Sequence, residues 1–541
     1  MASRILNHPL LQWTLSLLAV WYLWSIFVIP NRLDWLQWWY LFYLPMEVPA
    51  LAALLLLPGR AQRWSLLFAT AVVSAGLIFR VSDMAAFMVF ARPFNPVLDL
   101  YLLSFGFDLL RSSIGLAGAV IASILLLGLV AGIVLLTFAA LRRVQTQLQQ
   151  WPARATYFAV GAVFTVWAIT YSSGWSKSSR YFIDQLVMHG NKVVVSLREL
   201  REFETAIAQD VYDNIPGEQL FGALAGKDVL VIFVESYGRV LLDSARYSPV
   251  IRPELARAGQ TLAQNGFQSA SAFLASSTIG GLSWLAHGTA MSGLWIDSQL
   301  RYDALMLSQR ASLISLFGRA GWRTAGVMPA ITMAWPEGKY FGYDQLYDAA
   351  ALEYQGLPFN YVTMPDQFTL ARFQQRERQG SVAAGERKPV MAEIALISSH
   401  APWTPIPQVI DWQLIADGSE FNAQASSGYR PDQVWSDLDL LMNQYRDSVV
   451  YVINTLVSYV LEYGDPNLVV MIMGDHQPMQ LIADGASVPD VLTHIISSDP
   501  EVMSAVANWQ WTPGMLPADD APVWRMDTVR DRLVQTFSPD L

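Results

Sequence analysis

The chain contains no cysteine. This excludes disulfides, thiol nucleophiles and cysteine-based zinc sites, so metal binding or catalysis must draw on carboxylates, imidazoles and hydroxyls. Charge is scarce as well: 15% of the residues are Asp, Glu, Lys or Arg against 53% hydrophobic, a balance unusual for a chain dissolved throughout in water. The charge that is present divides unevenly. Residues 1–173 hold five acidic and ten basic side chains, a net of +5, which leaves −15 for the rest of a chain whose total is −10. An apolar, basic front and a polar, acidic back read as a membrane part followed by a soluble part. Lysine is scarce and the back is acidic, so no phosphate-backbone footprint is present and nucleic acid is not expected as a partner. A cleaved signal peptide is not expected either. The first apolar run is too long, it carries Trp13, Trp21 and Trp24, and it lacks a small-residue cleavage site.

Five stretches are long and apolar enough to span a bilayer, which takes about 20 residues. They lie near Pro9–Pro30, Trp38–Leu57, Trp64–Phe90, Leu116–Ala140 and Thr156–Tyr171, with Trp35, Trp38, Trp39, Trp64 and Trp151 at segment ends as an interfacial belt. Arg4, Arg60, Arg63, Arg142, Arg143 and Arg154 fall on one side, while Arg32, Arg92 and Arg111 on the other are diluted by Asp34, Asp99 and Asp108. The positive-inside rule then puts the N-terminus in the cytoplasm and, after five crossings, everything beyond about Ser172 outside. Glu47, Arg80 and Asp83 lie within or at the ends of spans, where ionisable groups are costly. They either line a cavity for a polar lipid headgroup or, for Arg80 and Asp83, neutralise each other one helical turn apart; the pairing is the simpler expectation. Phe90–Gly115 is too polar to span and reads as an interfacial segment. Residues 1–171 are thus expected to form a transmembrane domain of five helices, 172–217 a juxtamembrane helical linker or tether, and 218–541 a soluble domain.

From Lys227 strands alternate with helices. Asp228–Val234 (DVLVIFV), Thr324–Met328, Ala392–Ile397 and Asn467–Met473 are strand candidates, separated by helical patterns at Pro253–Asn265, Leu305–Ala320 and Leu438–Tyr463. The rhythm predicts an α/β domain with a mostly parallel central sheet and helices on both faces, whose ligand site forms at the carboxyl ends of the strands. Three strands run into side chains able to bind metal or phosphate: Glu235, His400, and the pair Asp475 and His476. A carboxylate and an imidazole together suit Zn²⁺ or Mn²⁺ rather than Ca²⁺. Ala275–Trp284 (ASSTIGGLSW) adds hydroxyls before a helix start, either as ordinary N-caps or as a nucleophile at the positive end of a helix.

Val234-Glu235-Ser236, Ser277-Thr278-Ile279-Gly280-Gly281, Ser399-His400-Ala401-Pro402 and Gly474-Asp475-His476-Gln477-Pro478, in this order behind the apolar segments, resemble a known group. The chain is similar to the membrane-anchored branch of the alkaline phosphatase/sulfatase superfamily, which includes lipoteichoic acid synthases, phosphoglycerol transferases and phosphoethanolamine transferases. The resemblance implies one divalent metal, Zn²⁺ or Mn²⁺, held by Glu235, Asp475, His476 and Thr278, with Thr278 also the nucleophile. It implies that His400 contacts the phosphoryl group or leaving oxygen. The activity so implied moves a phospholipid headgroup, phosphoglycerol or phosphoethanolamine, through a phospho-threonine to a hydroxyl of an envelope glycan or lipid. The site would face the periplasmic or extracellular side of a bacterial cytoplasmic membrane. Alternatives are a membrane-tethered phosphodiesterase or phosphatase using water, and a non-catalytic lipid sensor. The formylglycine signature of true sulfatases is absent around Thr278, and Ser276 and Ser277 stand beside it as competing hydroxyls.

Trp403 offers an aromatic face to a headgroup or sugar, or else packs. His287 and His494 read as buried, hydrogen-bonded histidines, and His8 and His189 have no motif around them. Tyr343 and Asp344 resemble a family landmark with no chemical role to assign.

Overall fold

The computed structural model describes residues 9–90, 92–96, 99, 102–173, 178–379, 387–485, 488–539 and 541; Arg4 and His8 lie outside the described residues. The chain divides into two compact units, Met1–Phe87 with Arg92–Arg198 and Met88–Ala91 with Glu199–Leu541. The division falls inside the helix Tyr181–Ile207, so the expected linker 172–217 is shared between the units.

The first unit contains α1 (Pro9–Val28), α2 (Glu47–Leu55), α3 (Arg60–Phe90), α4 (Leu102–Gln150), α5 (Ala153–Ser172) and the start of α6 (Tyr181–Ile207). Among the described residues four helices are long and apolar enough to cross a membrane: α1, α3, α4 from Ile114 onward, and α5. The stretch Phe90–Gly115, expected as an interfacial segment, is helical from Leu102, with non-helical backbone at Gly115 separating it from the apolar part of α4.

The fifth expected span, Trp38–Leu57, is not a spanning helix. It consists of a 3-10 turn at Trp38–Phe42, two extended residues, and the nine-residue α2. A helix running through this stretch would hold Pro45 and Pro49 in its interior, each deleting a backbone hydrogen bond and crowding the preceding turn. At about 1.5 Å per residue α2 covers less than half of the roughly 30 Å apolar layer. The segment nevertheless runs the length of α5. Leu44–Pro45 pairs with Ser178–Ser179 just beyond the end of α5, whereas Tyr157 in the first turns of α5 donates to Leu56 O at 3.3 Å. It is extended chain plus a short helix lying beside α5.

Arg80 and Asp83 do not pair with each other. Arg80 donates to the carbonyls of Ile26, Ile29 and Phe27, groups that the end of α1 leaves without partners. Asp83 accepts from Asn31 Nδ2 at 3.0 Å and from the Phe94 N–H at 2.9 Å, with His189 Nε2 3.3 Å away. Glu47 accepts the Ile183 N–H at 3.0 Å. All three charges are buried and tie separate chain segments together, which is why sequence spacing alone mispaired them.

In the second unit nine strands form one sheet: β1 (Asp228–Val234), β2 (Gln268–Ala275), β3 (Arg323–Met328), β4 (Gln345–Asp348), β5 (Val390–Leu396), β6 (Leu468–Gly474), β7 (Asp490–Ser497), β8 (Thr512–Pro513) and β9 (Val523–Arg525). The order is β8-β2-β7-β6-β1-β5-β3-β4, with β9 also on β2. The sheet is mixed rather than mostly parallel. β6, β1, β5, β3 and β4 run parallel, while β7 is antiparallel to both β6 and β2. The chain returns from β6 to β7 without a crossover helix among the described residues, and a direct return gives an antiparallel neighbour. β2 and β7 escaped notice because their polar residues mask the strand pattern: Ser271 on β2 and Thr493 and His494 on β7 are fully buried. β1 is buried at every position, and since successive side chains alternate between faces, the sheet is covered on both sides. The expected single helix Leu305–Ala320 is two, Gln299–Met306 and Leu313–Arg319, the second capped by Ser312 accepting from the Ser315 N–H.

Replacing Arg80 by Met is expected to destabilise the detergent-solubilised chain by about 2–4 kcal/mol, because several buried carbonyls lose their donor. Asp83→Asn turns one of two accepting oxygens into an N–H that faces a donor and is expected to cost about 1–3 kcal/mol independently, so the double substitution is additive in melting experiments; a coupling above about 1 kcal/mol would favour a mutually neutralising pair.

Candidate metal centre

The three central parallel strands end level. Val234 of β1 is the register partner of both Gly474 of β6 and Leu396 of β5, so the next residues, Glu235 and Asp475, emerge side by side at the carboxyl edge. Glu235 N–H donates to Leu396 O and Asp475 N–H to Val234 O, extending the ladder one step. Asp475 Oδ1 accepts the Ser236 N–H (2.8 Å) and its own neighbour's, His476 (2.6 Å), which leaves Oδ2 facing inward. His476 directs Nδ1 to Gln477 O at 2.8 Å and thereby turns Nε2 into the cluster, 3.4 Å from Glu235 Oε1 and 3.6 Å from Asp475 Oδ2. One ligand atom from each of the three lies within 4.8 Å of the others.

The helix that faces this cluster is α7 (Ser283–Ser292). After β2 the chain turns through Gly280 (φ +74°), Gly281 (φ +145°) and Leu282 (φ +66°), and the Gly280 N–H donates to Gln477 O at 2.9 Å. Only glycine adopts the first two conformations freely; a left-handed leucine costs about 1–2 kcal/mol. Ser236 (φ +57°), directly after Glu235, is strained in the same way and is held by Tyr445 donating to its carbonyl at 2.6 Å. Strain of this kind collects at functional sites.

The turn delivers Ser283. Its Oγ donates to Glu235 Oε2 at 3.1 Å and lies 3.2 Å from His476 Nε2. Bonds of about 2.0–2.2 Å to a tetrahedral metal put neighbouring donor atoms about 3.3–3.6 Å apart. The separations among Glu235, Asp475, His476 and Ser283 are close to those edges, and two carboxylates, an imidazole and a hydroxyl suit Zn²⁺ or Mn²⁺.

The structure brings Glu235, Asp475 and His476 together but turns Thr278 elsewhere. Thr278 Oγ1 donates to Gly281 O at 2.7 Å, closing the turn. Ser276 Oγ donates to Asp475 O, and Ser277 Oγ accepts from Thr289 at 2.9 Å, so these hydroxyls brace the loop. Ser283 lay within the stretch singled out in the sequence without being chosen from it. The usable signal is its position as the first hydroxyl after the paired glycines, where the helix begins.

His400 is half-buried, stacked on Tyr361 at 4.3 Å, with Nδ1 2.6 Å from Ala401 O and its charge felt at Glu235. Trp403 does not offer a face for ligand. It is buried, packs edge-on against Tyr445, and donates Nε1 to Ser399 O at 2.6 Å, so its aromatic surface belongs to the core. His494 is a satisfied core histidine: Nε2 meets Tyr237 OH, Nδ1 meets Ser271 Oγ, and burial pushes its pKa down to about 3.

Burial raises Glu235, but the facing His476 and His400 outweigh it and hold the carboxyl well below its usual range. In Asp475 burial and the Glu235 charge prevail, raising it to about 6. Burial lowers His476, yet the Asp475 and Glu235 carboxylates overcome this and its pKa is raised.

No family model and no curated protein matches the chain. Among solved structures it is similar to the lipoteichoic acid synthase LtaP from Listeria monocytogenes, at 14% identity over 62% of this chain and 76% of that one, TM-score 0.39. It is also similar to the phosphoglycerol transferase GacH from Streptococcus pyogenes in complex with sn-glycerol-1-phosphate, at 9% identity, 63% and 90% coverage, TM-score 0.37. The C-terminal periplasmic domain of EptC from Escherichia coli, in complex with zinc, matches at 13% identity, 51% and 74% coverage, TM-score 0.33. These likenesses are too distant to transfer an activity, and the weight rests on the site.

The Asp475 pKa, raised from 3.8, makes a contribution to stability that is full below that value and lost as pH rises through about 6. With a chelator present, Asp475→Asn is therefore expected to melt higher than the parent at pH 7.5, by on the order of 2 kcal/mol, with the difference fading towards pH 4. Zinc or manganese reverses the order at pH 7.5, because it stabilises only the chain that keeps the ligand.

Proposed function

We propose that the chain is a metal-dependent phosphotransferase that takes a headgroup from a membrane phospholipid through an ester on Ser283 and passes it to an envelope hydroxyl. The single observation that supports this is the Ser283 hydroxyl, 3.1 Å from Glu235 and 3.2 Å from His476, at the N-terminus of α7. Glu235, Asp475, His476 and Ser283 would hold one divalent ion, which when bound lowers the hydroxyl pKa and offsets charge on the phosphoryl oxygens. Ser283 Oγ attacks phosphorus; the Oγ–P bond forms as the P–O bond to diacylglycerol breaks. The serine proton passes to the leaving diacylglycerol oxygen, with His400 Nε2 as its carrier, since His400 Nδ1 is fixed by Ala401 O. The positive end of the α7 dipole favours the phosphoryl oxygens. An acceptor hydroxyl of a glycan or lipid then attacks the phosphoserine and restores Ser283.

The apolar helices of the first unit support a phospholipid as donor, since anchoring raises the effective concentration of a membrane substrate. Five passes, four helical and one through Leu44–Leu56, with arginines concentrated on one side, support a cytoplasmic N-terminus and a chain that emerges on the outer face beyond Ser172. Phosphoglycerol and phosphoethanolamine are the two headgroup classes on which the sequence resemblance bears.

The test reconstitutes the chain in vesicles of phosphatidylglycerol or phosphatidylethanolamine and follows diacylglycerol release. Ser283→Ala is expected to lose about a thousandfold or more, whereas Thr278→Ala, which loosens the turn, loses about tenfold or less. A phosphorylated Thr278 peptide, or full activity in Ser283→Ala, would overturn the Ser283 assignment. Headgroup appearing only as free phosphate ester, whatever acceptor is supplied, would favour a hydrolase.

A further inference from the structure

His287 lies four residues after Ser283 on α7, so the two share a helix face, and helical side chains lean towards the N-terminus, here towards the Ser283 turn. Its ring is clamped. Nδ1 is 2.6 Å from Glu393 Oε1, and the imidazole stacks on Phe233 of β1 at 3.8 Å. Glu393 sits on β5 with no exposure at all, opposite Val231 in the register, and its second oxygen accepts from Tyr343 OH at 2.7 Å. A fully buried carboxylate is expensive, and among the described residues no Arg or Lys partners this one. What it holds is one imidazole, in one orientation.

The other ring nitrogen, Nε2, has no hydrogen-bond partner among the described residues, and the side chain retains 11% exposure. A histidine used only for packing behaves like His494, with both nitrogens satisfied inside the core. His287 instead follows His476 and His400, each with Nδ1 tied to a fixed oxygen and Nε2 turned away from it. Phe233, on which the ring stacks, lies two residues before Glu235 and shares its strand face, so the ring sits close below the cluster.

We propose that His287, an imidazolium whose charge the buried Glu393 carboxylate balances, is an anion-binding residue that donates Nε2–H to a non-bridging phosphoryl oxygen of the substrate beside Ser283. This rests on the phosphotransferase reading and adds to it the group that grips the phosphate on the α7 side. Tyr343, a landmark with no role in the sequence, becomes the donor that fixes Glu393.

The test compares His287→Asn and His287→Gln in the full-length, zinc-loaded protein, measuring zinc content, melting temperature and affinity for inorganic phosphate by titration calorimetry. An asparagine amide takes the place of Nδ1 and retains a donor to Glu393 but nothing at Nε2, while a glutamine amide reaches the Nε2 position. Both variants take the charged partner from the buried Glu393 and are expected to melt lower by a similar amount with zinc content unchanged, while His287→Asn weakens phosphate binding about tenfold or more and His287→Gln less. His287→Asn binding phosphate within about twofold of the parent at full zinc occupancy overturns the proposal. So does an equal loss in both variants that follows a fall in melting temperature. The two readings separate in the same experiment. If the parent binds phosphate through His287 but releases no headgroup from vesicles, the transferase reading falls and the anion site stands; if release proceeds and phosphate binding ignores His287→Asn, the reverse holds.

Discussion

Everything in the second unit depends on two buried carboxylates being forced together. Glu235 and Asp475 leave adjacent strands at the same level, in a place with almost no water, and two like charges there repel strongly. Asp475 expresses that conflict, its pKa raised by burial and by the Glu235 charge, while His476 and His400 hold Glu235 down. His476 relieves part of it, and a divalent cation would relieve the rest. A chain gains nothing in stability by building such an arrangement for packing alone, which supports reading the cluster as a site.

The surroundings are arranged to keep the donors still. Ser399 Oγ donates to Glu235 O, Ser236 N–H and His476 N–H hold one oxygen of Asp475, and Tyr445 pins Ser236 in a left-handed conformation. The paired glycines and Leu282 do the same for α7, spending backbone strain to aim one hydroxyl. Orientation by hydrogen bonds behind the ligands is what distinguishes a working metal site from a chance cluster.

Much of this was legible in the sequence, for a physical reason. A strand covered on both faces must be apolar throughout, so DVLVIFV and LVVMIM stood out, and the first polar residues beyond them had to be at the sheet edge. Ser283 was not legible because four hydroxyls share the stretch 276–283, and which one reaches the edge depends on the dihedral angles of Gly280–Leu282. Leu44–Leu56 passes beside α5 as partly extended chain, which no hydropathy window represents. Arg80 and Asp83 obeyed helix-end and loop partners far away in sequence rather than their own spacing. Trp403 looked like an exposed loop aromatic, but its indole N–H turns inward to Ser399 O.

The most direct measurement is anomalous diffraction from crystals of the zinc-loaded protein. The account predicts one strong peak with Glu235, Asp475, His476 and Ser283 Oγ around it at about 2.0–2.2 Å, and Thr278 Oγ1 still turned to Gly281 O. A peak bound by Thr278 in place of Ser283, or no metal at Glu235, Asp475 and His476, would contradict it.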